Sequence, residues 1–165
     1  MDVINKEQGG WDVAQAWLSA LEEAARDFHG TLPRAFCERA YEHATLRWFQ
    51  LLDEQYGITV PKARTVKEAI ENHIEVGVRA GLFKDPSQFE LNQVNPQRVE
   101  IRSLDCIYRS TCERLLDTGF AIKDLTCARI GCFRSSAEYL TGKPCKYEVT
   151  GFRNDGTCEG YIEHR

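Results

Sequence analysis

The sequence has no long apolar run, no leader-like start and no excess of positive charge. Its apolar stretches fall far short of the roughly 20 residues that a helix needs to cross a bilayer. The first ten residues, MDVINKEQGG, have neither the basic nor the apolar part of a signal peptide. The formal net charge is −4, whereas nucleic acids and anionic membranes select concentrated positive charge. These absences predict a cytoplasmic protein that has neither a membrane nor a nucleic acid as its partner.

Several motifs with well-understood chemistry are also absent. The chain has no phosphate-binding glycine loop, no zinc-protease motif, no nucleophile elbow and no internal repeat. The composition, with 42% hydrophobic and 28% charged residues, is nevertheless that of a folded domain. A length of 165 residues fits a single domain over residues 1–165. Any chemistry must therefore come from other residue types.

The first part of the chain, residues 1–82, is predicted to be helical. Apolar residues recur there at helical spacing in three segments. Each segment is followed by a glycine, which is a common residue just after a helix end. The predicted helices span residues 11–29, 33–56 and 65–80.

The second part, residues 83–165, changes to the alternating pattern of strands. SQFELNQV and RVEIRSL, separated by the turn signal NPQ, predict one antiparallel hairpin. KYEVTGF and CEGYIEH predict a second hairpin around an Asp155-Gly156 turn. In that register Val149 lies opposite Ile162, and Cys158 lies on the same, inward face.

Two further helices are predicted between the hairpins. One spans about 108–118, and the other begins after a cap at Asp124 or Thr126 and runs to about Leu140. The order of elements predicts an α+β fold, in which an antiparallel sheet of about four strands has helices packed on one face.

Cysteine is abundant, and its count limits the chemistry. A reducing cytosol keeps thiols reduced, and seven cysteines cannot all pair in disulfides. Three interpretations follow: metal binding, thiol chemistry, and packing in the core, where free cysteine is common. Four of the seven lie in one stretch, LDCIYRSTCERLLDTGFAIKDLTCARIGC, residues 104–132.

The first interpretation is a zinc or iron–sulfur site. Such sites need thiolates that converge from short pieces of backbone, and the clearest signal, a double C-x2-C motif, is absent. Cys127 and Cys132 lie on different faces if both are within a helix. They can therefore share a metal only if one of the two cysteines lies at the start of the helix or before it. The candidate metal ligands are Cys106, Cys112, Cys127, Cys132 and Cys158.

The second interpretation is a thiol nucleophile. Cys127 would lie in the first turn of a helix capped by Thr126, where backbone N–H groups favour a thiolate. Cys106, beside Asp105, is the other candidate catalytic residue. No spacing joins a histidine to either cysteine, although His73 is next to an apolar stripe and could face a pocket.

The third interpretation is ordinary packing. Cys37 and Cys145, and also Cys112, are expected to be small core residues. Arg129 and Arg134 lie close to the cysteines in sequence and could pair with an anionic ligand, but solvated positions on an exposed helix surface are expected for both.

Residues 87–163 resemble a known family in three stretches. The hairpin FELNQVNPQRVEIRSLDC leads into an aspartate, a small residue and an aromatic, here Asp105-Cys106-Ile107-Tyr108. TCARIGCFRSSAEYLTGKPCKYEVT reads as a Cys-led helix followed by a strand with a glutamate, and NDGTCEGYI closes the pattern. On these stretches the chain resembles the vinyl-reductase-type, hydrocarbon-binding small-molecule domain. The positions that match the pattern are Cys127, Gly131, Gly142, Glu148, Gly156 and Cys158.

This resemblance implies a fold shared with transport-particle subunits, a homodimer, and a small apolar or heterocyclic ligand held between the sheet and the helices. Domains of this family occur alone or as the sensor half of aromatic-responsive transcription activators. Members with a complete cysteine set look like zinc proteins. This chain departs from them at Gly151, near which the family often has a further cysteine.

A weaker resemblance involves DCIY and TCEGYI. These stretches are similar to parts of cysteine-rich proteins related to 2-amino-thiazoline-4-carboxylate hydrolase, which implies a ring-opening hydrolase.

The leading hypothesis is a small-molecule-binding or sensor-type protein with a cysteine-thiolate site that binds zinc or an iron–sulfur cluster. The alternative is a cysteine- or metal-dependent hydrolase or lyase that acts on a small sulfur- or nitrogen-containing heterocycle. A third class is an interaction protein whose thiols only fill the core.

Overall fold

The structure is a computed structural model that describes residues 6–29 and 34–165. In the first of these ranges, side chains are described for residues 9–28. Three helices open the chain: α1, Lys6–His29; α2, Arg34–Tyr56; and α3, Val66–Arg79. They confirm the helical prediction for the first part. Pro33, the predicted start of the second helix, lies outside the described residues.

The second part contains two helices and two hairpins, as predicted. In chain order the elements are β1, Phe89–Asn95; β2, Arg98–Ser103; α4, Arg109–Asp117; α5, Ala128–Thr141; β3, Cys145–Phe152; and β4, Cys158–His164. Gly142 follows α5 with a left-handed φ of 69°, which is the conformation that favours glycine after a helix end.

The four strands form one antiparallel sheet in the order β1-β2-β4-β3. The predicted α+β class with a four-stranded antiparallel sheet is therefore confirmed. The predicted register of the second hairpin was wrong for two reasons. The turn holds three residues, 154–156, rather than two, which places Phe152 instead of Arg153 opposite Cys158. The ladder then shifts again between Val149 and Gly151. Val149 lies opposite Gly160, and Ile162 lies opposite Tyr147. The inward face of Cys158 was predicted correctly, since it is buried with Val149 and Ile162.

Helices α3 and α5 pack on one face of the sheet and enclose the main core. The other face carries charged side chains, which form ion pairs across the strands. Helix α5 is buried on nearly all sides, because α2 and α3 pack against it in addition to the sheet. Its first turn therefore lies inside the protein, and this turn positions the residues discussed below. No helix in the described ranges is long and apolar enough to cross a membrane.

Candidate functional site

Cys127 and Cys158 come together at the start of α5. Cys127 is the N-cap residue of this helix, and Cys158 is the first residue of β4. Their Sγ atoms are 3.6 Å apart, and both side chains are buried. The structure corrects one detail of the prediction: Cys127 itself, and not Thr126, caps the helix.

The environment of this pair favours a thiolate on Cys127. The hydrogen bond from Cys158, supported by the backbone N–H groups of Ile130 and Arg129, lowers the pKa of Cys127 although burial opposes the shift. The same hydrogen bond and burial raise the pKa of Cys158. Of the two thiols, Cys127 therefore loses its proton more readily, and Cys158 is placed to donate a hydrogen bond to its sulfur.

Cys106 and Cys112 are neighbours of this pair. Burial raises the pKa of each thiol, and the charge of a Cys127 thiolate raises both further. Asp105, immediately before Cys106, has a φ of 47°, and Cys127 has a φ of 45°. Among the described residues, these are the non-glycine positions with positive φ. Because this conformation is strained, the backbone is held out of its preferred range on both sides of the thiol group.

The remaining cysteines are Cys37, Cys132 and Cys145. Cys132 is half-buried and packs beside a small cluster that contains Cys37. Cys145 is buried in the main core. The expectation that Cys37, Cys112 and Cys145 are buried is confirmed.

A metal site needs more ligands than the close pair supplies. Two thiolates on one tetrahedral zinc ion would lie about 3.8 Å apart, so Cys127 and Cys158 fit as two ligands. Within residues 6–29 and 34–165, however, no group of three or more His, Cys, Asp or Glu side chains is arranged to hold a metal ion. The zinc or iron–sulfur site built from Cys106, Cys112, Cys127, Cys132 and Cys158 therefore stays a prediction.

A second feature is a group of aromatic rings around His73, which we call the aromatic chamber. Its ring centroids lie 4.9 to 6.0 Å from that of His73. The Nδ1 atom of His73 hydrogen-bonds with the Oγ atom of Ser136 on α5. The chamber consists of Trp48, Phe49, Phe83 and Phe133 together with His73.

His73 is a neutral polar group in an apolar environment. Its side chain is 3% exposed, and burial, aided by the nearby charge of Arg129, lowers its pKa to about 3. It is thus uncharged at neutral pH, and one ring nitrogen is held by Ser136. The suggestion that His73 could face a pocket stays a prediction, because the structure packs its ring among these aromatic side chains.

Arg129 adds a positive charge to the wall of the chamber. The residue is 6% exposed, and its guanidinium lies 4.3 Å from the centroid of Phe83, 5.2 Å from Tyr108 and 5.7 Å from Phe89. Its Nε atom is buried without a hydrogen-bond partner. The expectation that Arg129 and Arg134 are solvated was wrong for both, because α5 is covered on nearly all sides.

An open groove lies next to the chamber, between α3 and the edge strand β1. Its volume is about 460 Å³, which is within the usual size of a small-molecule site. Ile74, Val78 and Leu91 give it apolar walls, and charged side chains also line it: Lys67, Glu71, Glu75 and Arg79. Phe89 belongs to both regions, since it lines the groove and its ring contacts Phe83 and Phe133 of the chamber.

A buried polar network on the other side of the α5 start was not predicted from the sequence. The Oε1 atom of Glu22 accepts hydrogen bonds from the hydroxyls of Tyr41, at 2.5 Å, and Thr126, at 2.8 Å. The Tyr147 hydroxyl donates to the carbonyl oxygen of Thr126. Burial raises the pKa of Glu22, and its Oε2 atom has no partner. This network fixes the residue that precedes Cys127.

Comparison with known proteins gives the fold. No protein-family model and no curated protein matches the chain. Among solved structures, it is similar to the phenol-responsive sensory domain of the transcription activator PoxR with phenol, with a TM-score of 0.58 and 16% identity, covering 99% of this chain and 76% of that one. A structure from work on heme distortion in the H-NOX family has a TM-score of 0.48 and 9% identity, covering 100% of this chain and 74% of that one.

The similarity to the phenol-responsive domain shows that the chain shares the fold of a small-molecule sensory domain. The TM-score of the H-NOX structure is too low to show a shared fold. The specific resemblance to the vinyl-reductase type, the homodimer, the cytoplasmic location and the single-domain organisation with its division at residues 82 and 83 stay predictions.

Proposed function

We propose that the protein is a sensor-type domain that binds a small, largely apolar or heterocyclic molecule in the groove between α3 and β1, with the aromatic chamber behind it. The observation that supports this most is the arrangement of the chamber. Aromatic walls surround a neutral His73 and border a charged Arg129, which matches the usual make-up of small-molecule sites. The shared fold with a phenol-responsive sensory domain supports the same class of function.

The proposal includes an entry route. Phe89 separates the groove from the chamber, and its side chain is buried against the Phe83 and Phe133 rings. A rotation of the Phe89 side chain joins the two regions. A planar ligand can then lie between aromatic rings and reach the polar groups, with offset or edge-to-face packing against the walls.

Phenol titration tests this site, with Trp48 as a fluorescent reporter in the chamber. We expect saturable binding to the unmodified protein and at least about tenfold weaker binding to Leu91→Trp, because the larger side chain fills the groove. Val94→Trp is the matched control: Val94 lies on the same strand but is 51% exposed and does not line the groove. Equal binding by all three proteins would place the ligand elsewhere, and no binding of phenol, benzamide or benzoate would contradict the proposal.

We propose a second element, a thiol site made by Cys127 and Cys158 with Cys106 and Cys112 beside them. The support is the separation of 3.6 Å between the Cys127 and Cys158 sulfurs and the lowered pKa of Cys127. A disulfide requires the sulfurs to approach to about 2.05 Å. The Cys127 thiolate attacks the oxidant diamide, the Cys158 thiolate then displaces the reduced hydrazine, and both thiol protons are taken up by it.

Mild oxidation with diamide therefore has an expected product. Intact-mass and peptide analysis should find a loss of two hydrogens and a Cys127–Cys158 linkage before any other. The Cys158→Ser variant should not form it, whereas Cys145→Ser, which changes a cysteine at the other end of the β3–β4 ladder, should form it normally. A first disulfide that joins other cysteines would contradict the assignment. Elemental analysis after anaerobic purification tests the zinc or iron–sulfur alternative at the same thiols.

The second candidate function is a cysteine-dependent hydrolase or lyase. It is favoured by one observation, the two backbone N–H groups directed at the Cys127 sulfur, which stabilise a nucleophilic thiolate. Rapid, selective alkylation of Cys127 under reducing conditions is the expected result for a nucleophile. Uniformly slow alkylation of all seven cysteines would contradict an enzymatic role for this thiol.

A further inference from the structure

Arg129 is a buried cation without a carboxylate partner. Its side chain is 6% exposed, and none of the ion pairs among the described residues includes it. An arginine stays charged at any ordinary pH. A buried charge is costly unless a counter-charge or hydrogen bonds compensate it, so the missing partner needs a physical explanation.

Arg134 shows how the same helix treats a compensated arginine. It is 3% exposed and lies on α5 like Arg129. Its Nε atom also lacks a partner, but its Nη1 atom contacts Glu42 at 2.8 Å and Glu138 at 3.3 Å, and its Nη2 atom donates to the carbonyl oxygen of Glu38. The protein therefore supplies counter-charges for one buried arginine of α5 and none for the other.

The surroundings of Arg129 do not neutralise it. Aromatic faces attract the guanidinium but carry no net charge. The nearby Cys106 side chain accepts a hydrogen bond from Arg129, yet burial still raises the pKa of Cys106, so it stays an uncharged thiol at neutral pH. The neighbouring His73 is uncharged as well. Cys127, the thiol with the lowered pKa, is held by Cys158 and by the backbone N–H groups of Ile130 and Arg129. The Arg129 guanidinium at the wall of the aromatic chamber therefore has no carboxylate and no other fixed counter-charge among these neighbours.

From this juxtaposition we infer that Arg129 recognises the carboxylate of a small aromatic acid in the proposed binding site. The inference rests on the proposed function and specifies its ligand class. One uncompensated cation matches a monoanion, whereas a phosphate group would require further donors. The flat guanidinium pairs well with a carboxylate, and the rings of Phe83 and Phe89, which contact both Arg129 and the chamber, provide walls for a planar ring.

Benzoate and benzamide test the inference, because they have nearly the same shape and differ in charge. Isothermal titration of the unmodified protein at neutral pH should show benzoate binding roughly ten- to a hundred-fold more tightly than benzamide, as expected for a charge-assisted contact. Arg129→Gln should lose this preference while it still binds benzamide. Arg134→Gln is the matched control and should keep the preference, whatever its effect on stability.

The outcomes separate this inference from the proposed function. Equal or tighter binding of benzamide to the unmodified protein overturns the carboxylate assignment but leaves a small-molecule site in place. Loss of the preference in Arg134→Gln to the same degree as in Arg129→Gln also overturns it, because a general effect of charge would then explain the result. If benzoate, benzamide and phenol all fail to bind, the proposed function itself is wrong. The comparison on the unmodified protein decides the question even if Arg129→Gln does not fold.

Discussion

Gly160→Ala is expected to destabilise the protein by about 3 kcal/mol or more, one of the largest effects of any single methyl group in this fold. Gly160 lies in the central strand β4, opposite Val149 of β3 and Ile101 of β2. An added Cβ would overlap the backbone carbonyl oxygen of Glu148 and would lie 2.8 Å from the Cδ1 atom of Ile130 on α5. Because the first obstacle is backbone, rotation of a side chain cannot relieve it.

The consequence extends to the proposed site. Ile130 belongs to the first turn of α5, whose N–H groups reach Cys127 and whose Arg129 borders the aromatic chamber. If β3 and β4 separate to accept the methyl group, or if α5 moves away from the sheet, both features change. We therefore expect weaker phenol binding in Gly160→Ala in addition to a Tm lower by roughly 10 °C.

Thermal and urea unfolding measure this effect. Gly10→Ala is a suitable control, since Gly10 lies in helix α1 and a Cβ there has nothing within 4 Å. That substitution should be neutral or stabilise by up to about 1 kcal/mol, because alanine favours helix more than glycine does. A Gly160→Ala protein with unchanged stability would mean that β3 and β4 are less closely packed than the structure has them.

Local patterns in the sequence were sufficient to predict most elements of the fold. Helical spacing identified α1, α2 and α3, and alternation with turn signals identified both hairpins. The register of the second hairpin was not predictable in the same way. The Asp155-Gly156 signal identifies the turn but not its length, which is three residues between Arg153 and Thr157. The bulge between Val149 and Gly151 depends on how β3 fits against β4 and α5.

The buried charges were missed for a different reason. Helix α5, ARIGCFRSSAEYLT, has no single apolar stripe, and its arginines therefore suggest a helix with an exposed surface. A helix without such a stripe can also be buried on all sides, and then its polar residues lie inside. Helix α5 lies between the two hairpins in sequence and has no apolar stripe, and this was the available signal that Arg129 and Arg134 could be buried. Glu22 gave no local signal, because its partners Tyr41 and Thr126 are distant in sequence.

Replacement of Glu22 is the second change with a large expected effect. Its carboxyl is 2% exposed and joins α1 to α2 and to the residue before Cys127 through the hydroxyls of Tyr41 and Thr126. In Glu22→Ala both hydroxyls lose this acceptor and a cavity forms. We expect a loss of about 3 kcal/mol in the free energy of unfolding. Glu22→Gln keeps an oxygen in place of Oε1 and should retain most of the stability.

The same residue predicts a pH dependence with a defined sign. Burial raises the pKa of Glu22 in the folded state, against the hydrogen bonds of Tyr41 and Thr126 that lower it. The protonated carboxyl therefore favours the folded protein. This contribution is complete below the unfolded value of about 4.3 and is lost as the pH rises through the higher pKa of the folded state.

Glu22→Gln isolates this contribution, because its side chain does not titrate. Relative to that variant, the unmodified protein should lose stability as the pH rises above about 4 and through the folded-state pKa of Glu22, and urea unfolding at several pH values measures the difference. Glu23→Gln is the matched control: Glu23 is adjacent in α1 but forms a half-exposed ion pair with Arg114. Its substitution should leave the pH dependence in place. If the difference between the unmodified protein and Glu22→Gln stays constant with pH, Glu22 does not titrate in this range. The carboxylate would then have to be stabilised by its two hydroxyl donors strongly enough to cancel the cost of burial.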